Sequence, residues 1–309
     1  MVLQTIWFFL WGLLWAIFFI TDGFDLGIGT FYPFMAKNET EKRTLINAMG
    51  PLWDGNEVWL VTAGGVTFAA FPLVYATMFS SLYSALMLLL FALILRGVSF
   101  EFRGKVDHPL WRKTWDTCIF IGSFAPALLF GVTFANIFKG IPIDQEGIYQ
   151  GTLFTLLNPY GLLGGVLFVI LFLMHGSLWL TIKTQGELHD RAKRYAQKLW
   201  PVLLGVIVLF LGASAVFTDL YNNYLAHPPY FLIIIVAAAG LLGIRFYLNQ
   251  NAFFKAWFAS AVTIIGATFF GVSGLFPNLF PSSIKAEYSL TAYNASSSPL
   301  TLKIMLIVV

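Results

Sequence analysis

Gly50-Pro51-Leu52-Trp53-Asp54-Gly55-Asn56-Glu57-Val58-Trp59-Leu60 opens an apolar stretch that runs on to about Phe71. Pro51 suits a first helical turn, where its missing N–H would have had no partner. Asp54 and Glu57 stand three residues apart, on one face of that helix. At ~1.5 Å per residue they sit roughly one and two turns inside the segment. An acid at membrane depth is costly, so it ordinarily faces protein or water and marks a functional position. An acidic first turn that only complements the helix dipole is the plainer alternative. Glu57 lies deeper than such a turn requires.

Whether there is a membrane follows from composition. The 309 residues are 58% hydrophobic and 11% charged, which excludes an ordinary soluble domain and fits a polytopic membrane protein. A single cysteine, Cys118, excludes intrachain disulfides, a Cys-x-x-Cys-His haem attachment and a thiolate metal cage. Met1 to Thr5 carries no Lys or Arg, a poor signal peptide, so the first apolar run is expected to be a retained helix.

Hydrophobic runs predict membrane helices at about Thr5–Phe34, Pro51–Phe71, Ala76–Phe100, Trp111–Phe138, Pro159–Thr184, Leu199–Tyr221, Tyr230–Leu248 and Ala252–Leu275. A short surface helix is expected over Lys37–Asn47, and a polar loop over Pro277–Pro299. Leu300–Val309 is apolar but shorter than the ~20 residues of a span. It is expected to begin a ninth, peripheral helix within which the chain stops. The fold class is thus all-α, with about nine transmembrane helices. The division expected is residues 1–140, 141–276 and 277–309: two helical halves, then a loop with the start of the last helix. Gly23 and Gly27, and Gly161 and Gly165, have the spacing that lets helices approach closely.

Basic residues set the orientation. Lys37, Lys42 and Arg43 fall in or beside the first loop; Arg96, Arg103, Lys105, Arg112 and Lys113 the third; Lys183, Arg191, Lys193, Arg194 and Lys198 the fifth; Arg245 and Lys255 the seventh. Of the 18 Lys and Arg residues only Lys139, Lys285 and Lys303 fall elsewhere. The odd-numbered loops are therefore expected in the cytoplasm and the N-terminus outside. Asp22, Asp25, Asp54, Glu57, Glu101 and Asp116 then gather at the cytoplasmic end of the first four helices. Arg96 and Arg112 are read as lying near helix ends, so no deep cation is expected among these acids. Carboxylates clustered in that way favour proton binding or cation coordination. His175 is the one histidine well inside a span. It is the only candidate for a haem ligand here, and a hydrogen bond to a neighbouring helix is the simpler expectation. Arg191, Lys193 and Arg194 read as a topology signal. No metal-ligand spacing, phosphate loop or Ser/His/Asp pattern stands out, and nothing suggests nucleic-acid binding.

Several stretches together resemble subunit II of the cytochrome bd quinol oxidases, the bacterial respiratory terminal oxidases. They include Thr21-Asp22-Gly23-Phe24-Asp25-Leu26-Gly27, Trp53-Asp54-Gly55-Asn56-Glu57-Val58-Trp59-Leu60, Trp115-Asp116, Leu157-Asn158-Pro159-Tyr160-Gly161 and Gly186-Glu187-Leu188-His189. The resemblance covers the whole chain in order. It implies two four-helix bundles plus a peripheral helix, in the bacterial cytoplasmic (inner) membrane. It implies a partner, subunit I, of similar fold, carrying the b- and d-type haems and the quinol site. The complex would oxidise quinol, reduce O2 to water and build a proton gradient without pumping. This subunit would support assembly of the haem pair and a proton route from the cytoplasm, with Asp25 and Asp54 matching acids implicated in it. Asp22 and Glu57 are assigned to the same route; Trp53, Asn56, Arg96, Glu101 and Asp116 are assigned structural and assembly roles. A structural quinone and a small single-helix subunit are further components that the resemblance allows. On residues alone, a proton- or cation-coupled secondary transporter competes with this reading. It would place its acids near the midplane with broken helices, whereas these lie towards one surface.

The expected topology is checked by reporter fusions in the loops around Lys42, Lys105 and Arg191. All three should report the cytoplasm; an external signal from the Arg191 loop would mean that a helix has been miscounted.

Overall fold

The computed structural model describes residues 1–308. Its helices are α1 (Val2–Met35), α2 (Glu39–Met49), α3 (Trp53–Ala70), α4 (Pro72–Ser81), α5 (Tyr83–Phe102), α6 (Pro109–Lys139), α7 (Leu153–Leu156), α8 (Pro159–Lys183), α9 (Gly186–Phe217), α10 (Leu220–Ala226), α11 (Phe231–Asn249), α12 (Phe253–Leu275) and α13 (Pro299–Val308). A two-stranded antiparallel ribbon, β1 (Asn278–Phe280) and β2 (Leu290–Thr291), lies in the loop before α13.

Helix boundaries follow local chemistry. The Asn38 side chain accepts the Glu41 N–H at 2.9 Å and starts α2. Pro72, Pro109 and Pro159 occupy first-turn positions of α4, α6 and α8. Asn158 caps α8 through the Gly161 N–H at 3.0 Å. Gly140, at φ 95°, ends α6.

Two boundaries differ from the sequence expectation. The segment expected as one helix from Ala76 is divided between α4 and α5, which meet at Leu82. The sixth expected helix starts thirteen residues earlier, at Gly186, because the basic stretch around Arg191 consists of good helix formers and extends the helix past the apolar span. Among the described residues, seven helices are long and apolar enough to cross a membrane. With only 18 residues and Asp54, Asn56 and Glu57 in its first turns, α3 falls outside that set. It is amphiphilic at one end and short for a span.

α1, α3, α5 and α6 pack as one set and α8, α9, α11 and α12 as another, with α1 touching both α8 and α12, and α8 touching α6. Aromatic rings fill the join. Phe19 meets Phe134 at 5.3 Å and Phe168 at 5.0 Å, both edge-on, and Trp15 meets Phe134 at 5.1 Å. Lipid tails are as apolar as Leu, so membrane helices associate through close packing of small residues more than through burial. Gly27 and Gly176 provide this between α1 and α8. A Cβ on Gly27 would fall on the Phe172 carbonyl, and one on Gly176 would lie 2.8 Å from the Ile28 nitrogen.

The first, third and fifth connections share one end of the molecule, where Arg103 of α5's end pairs with Glu39 of α2, and Arg191 of α9 with Glu41. The second, fourth and eighth share the other end. There Ser297 donates to the Ala69 carbonyl at 2.6 Å and Ile141 to the Pro281 carbonyl at 2.9 Å. At that end too the Trp7 indole donates to the Leu302 carbonyl of α13 at 3.0 Å.

Gly27→Ala should lower the stability of the folded chain by about 1–3 kcal/mol through overpacking. Gly205→Ala, at a position where a Cβ meets nothing within 4 Å, should not. Thermal unfolding of the two purified variants makes the comparison.

Candidate functional site

Asp22 and Asp25 lie on one face of α1, three residues apart, and both are fully buried. The opposite face is locked against α8 by Gly23 and Gly27, so the acids are turned towards α3 and α5. Arg96 of α5 meets them there. Its Nη2 donates to Asp22 Oδ1 at 2.6 Å and to Glu57 Oε1 at 2.5 Å. Arg96 is as inaccessible as Asp22, while the Glu57 carboxylate retains 24% exposure. Asn56 of α3 donates to Asp25 Oδ2 at 2.7 Å. The sequence expectation of acids without a deep cation is therefore corrected. Arg96 looked peripheral because it is six residues from the end of α5, yet that turn is covered by α1, α3 and α6. Gly122 of α6 makes room for it: a Cβ there would lie 2.8 Å from the Arg96 Cβ.

The cluster holds three carboxylates against one guanidinium. Asp22 Oδ2, Asp25 Oδ1, Arg96 Nε and Arg96 Nη1 are buried with no protein partner. Polar atoms in that position are ordinarily met by internal water. The arrangement can thus hold and pass protons: acidic oxygens on two helices, a fixed cation between them, and one carboxylate reaching the surface. Among the described residues, no group of three or more His, Cys, Asp or Glu side chains is placed to hold a metal ion.

The head of α3 divides in two. Trp53 packs on Phe100 with ring centroids 5.5 Å apart and lies against Gly97. Asn56 and Glu57 face the cluster. Asp54 does not join it; it is exposed, and its Oδ1 accepts the Gly55 N–H at 2.8 Å. Val58 and Val61 follow it on the same uncovered face, 57% and 74% exposed.

Asp116 belongs to a second network, towards the helix ends. It accepts from Tyr32 at 2.8 Å, Lys42 at 2.7 Å and Arg103 at 2.5 Å. Glu101 is exposed and joins neither network. Arg191, read from sequence as a topology signal, is buried. It donates to the Met35 carbonyl at 2.5 Å and to Glu41 at 2.8 Å. That hydrogen bond holds the Glu41 carboxyl below the ordinary range. Nothing in the sequence marks Arg191 apart from its basic neighbours; Glu41 in the first turn of an Asn-capped helix was the only available signal.

His175 lies between α1 and α12. One ring nitrogen pairs with the Ser260 hydroxyl, the other with the Ile20 carbonyl at 3.0 Å, and the ring stacks on Trp257 at 5.1 Å. Both nitrogens have protein partners.

A groove of about 560 Å³ opens between α3, α4 and α5, where Gly64 and Gly65 leave the helices apart. Trp11, Trp15, Phe68, Met78 and Phe130 line it. The Trp15 indole N–H is buried with no partner.

A family model described as cytochrome bd terminal oxidase subunit II matches residues 3–309. The chain is 40% identical to cytochrome bd ubiquinol oxidase subunit 2 of Bacillus subtilis strain 168 over 305 residues, covering 98% of this chain and 89% of the relative. It is 38% identical to cytochrome bd-I ubiquinol oxidase subunit 2 of Escherichia coli K12 over 335 residues, covering 98% and 88%. In fold it matches a chain of the bd oxidase from Geobacillus thermodenitrificans with a TM-score of 0.81, at 17% identity, covering 100% of this chain and 93% of that one.

Arg96→Met should be strongly destabilising, by about 3–5 kcal/mol, because it strands two carboxylates beside an apolar side chain. Arg96→Lys should recover part of the loss. Thermal unfolding checks both. A loss under about 1 kcal/mol would mean that protons, not Arg96, balance the acids.

Proposed function

The chain belongs to the cytochrome bd terminal oxidase subunit II family, and on that premise we propose that it serves a quinol:O2 oxidoreductase as the subunit that admits protons from the cytoplasm. The family carries haem in its complex and has a subunit I partner; the chain itself is a multi-pass membrane protein. The finer reading is that quinol is oxidised and O2 reduced to water on subunit I, without pumping. Protons consumed there come from one side and quinol protons leave on the other.

The observation that carries the proposal is the buried Asp22–Arg96–Glu57 and Asp25–Asn56 cluster. Glu57 is its solvent-facing member. A proton taken up there can move among carboxylate oxygens that lack protein partners, with Arg96 keeping a proton-poor cluster from carrying an excessive negative charge. Asn56 links Asp25 to the helix that bears Asp54. Exposed on the uncovered face of α3, Asp54 is suited to hand protons across to a partner subunit seated on that face. Trp53, Arg96 and Asp116 hold this end of the first helix set in shape, the support that haem-pair assembly would draw on.

Haem is assigned to subunit I. It would supply the electron transfer and O2 chemistry of the complex; on this chain the histidine inside a span, His175, has both ring nitrogens bonded within the protein, which supports that assignment. The groove beside Trp15 fits a structural quinone better. Its volume lies within the ~300–1,000 Å³ of ligand pockets, and its walls are apolar and rich in aromatic rings. The basic residues of the odd-numbered loops support a bacterial inner-membrane protein with those loops in the cytoplasm and the N-terminus outside. The exposed outer faces of α9 and α11 offer room for a small single-helix subunit.

Asp54→Asn should lower oxygen consumption by the purified complex at equal haem content, without separating the subunits. Asp54→Glu should retain more activity, because it keeps an ionisable group, and Glu57→Gln should be milder, because Glu57 is partly exposed and water can reach the buried acids in its place. The loss for one positioned proton-transfer group is of the order of 10²-fold or more if no bypass exists. Wild-type turnover in Asp54→Asn would remove Asp54 from the route.

A further inference from the structure

Charge is divided unevenly between the two helix sets. Around the first, Lys42, Arg96, Arg103 and Arg112, half of the basic residues there, each face a carboxylate, while Lys37, Arg43, Lys105 and Lys113 make no ion pair among the described residues. At the odd-loop end of the second stand Lys183, Lys193, Arg194, Lys198, Arg245 and Lys255. Among the described residues the ion pairs at that end belong to Arg191, with Glu41 and Glu187, and none to these six. Several of their cationic heads rest on aromatic faces instead. Lys183 Nζ lies 4.9 Å from the Trp179 ring centre, the Arg245 guanidinium 5.8 Å from Trp200, and Lys255 Nζ 5.9 Å from Tyr247. Such contacts orient a cation without neutralising it.

Lys255 stands at the mouth of a groove. α11 and α12 touch at Gly240, where a Cβ would lie 2.9 Å from the Ala259 carbonyl oxygen, and over this seam the small residues Ala239, Gly243 and Ala259 leave an open apolar surface groove of about 740 Å³. Phe246 and Phe258, 58% and 60% exposed, form its walls. From Lys255 to Val262, at the far end, the channel descends about 10 Å along α12. That is within one leaflet, about half of the ~30 Å hydrocarbon core. A groove of this form offers an apolar bed one leaflet deep, with an uncompensated cation where the headgroups lie.

We propose that the α11–α12 groove binds one anionic phospholipid of the odd-loop leaflet, with an acyl chain along Gly240 and Gly243 and its phosphate against Lys255. Lys255, exposed at the groove's mouth and without an ion pair among the described residues, selects the anionic headgroup. The shallow depth and apolar lining select a lipid chain over a second helix, which would span both leaflets. The proposal is independent of the route through Asp22 and Asp25, which lies in the other helix set.

The test uses the purified complex in phosphatidylcholine nanodiscs containing a trace of photoactivatable lipid, either phosphatidylglycerol or phosphatidylcholine with the same reactive chain. Phosphatidylglycerol should label the peptides carrying Phe246 and Phe258 about five-fold more, the preference expected of one cation near a membrane surface. Lys255→Gln should bring the two lipids to parity. Gly243→Leu, which fills the channel, should reduce labelling by both; should it fail to assemble, the exposed Lys255 variant still decides. Lys303→Gln, at the opposite end, should change nothing. Equal labelling by the two lipids in the wild type would overturn the proposal. So would abolition of the preference by inorganic phosphate at matched ionic strength, which would indicate a free-anion site, or the absence of lipid label from these peptides in the assembled wild type, which would indicate a groove covered by protein.

Discussion

One guanidinium shared by carboxylates from two other helices fixes this end of the molecule. Arg96 reaches Asp22 of α1 and Glu57 of α3 through the same nitrogen. In hydrocarbon, none of the three could be buried alone. Together they set the rotation of α1, the depth of α3 and the direction of α5. The arrangement is possible only because α8 holds the reverse side of α1 at backbone distance. Glycine contact on one face and ionic contact on the other leave α1 no freedom to turn.

The cost of the arrangement falls on α3. It is short, starts with polar groups, and stands apart from α5 over much of its length. A helix loaded with Asp54, Asn56 and Glu57 cannot be buried on all sides, and its outer face carries Asp54, Val58 and Val61 into the open. In a membrane that face must meet lipid or protein. Family membership supplies a partner subunit, and a carboxylate at the head of an otherwise apolar face is more easily accommodated against protein than against lipid tails.

Much of the architecture was legible in the sequence because membrane spans are marked by composition. The basic residues were a sound guide to which loops share an end, and the Gly23–Gly27 spacing to the α1–α8 contact. What escaped was the identity of partners across helices. Arg96 and Arg191 sit where a linear reading places harmless surface cations. Their burial depends on which helix covers them, and neither hydropathy nor spacing carries that. Six acids near one end looked like one cluster; the structure separates Asp22, Asp25 and Glu57 from Asp116, and leaves Asp54 and Glu101 outside both. The split reflects helix phase: Asp54 and Glu57, three residues apart, straddle the boundary between the covered and open sides of α3. The break at Leu82 was hidden because both flanking segments are apolar.

The α1–α8 glycine contact also bears on the order in which the chain is made. α1 emerges before α8, but the surface that closes over Gly23 and Gly27 is Phe172 and Gly176, nearly half the chain later. Until that segment has entered the bilayer, α1 must wait with a bare backbone stripe on one side and two acids on the other. Its early neighbours α3 and α5 can shield the acids through Arg96, but none of them can replace α8 on the glycine side. Biogenesis is therefore not sequential by halves: the first helix set is finished only when the second begins, and a ribosome stalled before Gly176 would leave an α1 that insertion has accepted and packing has not.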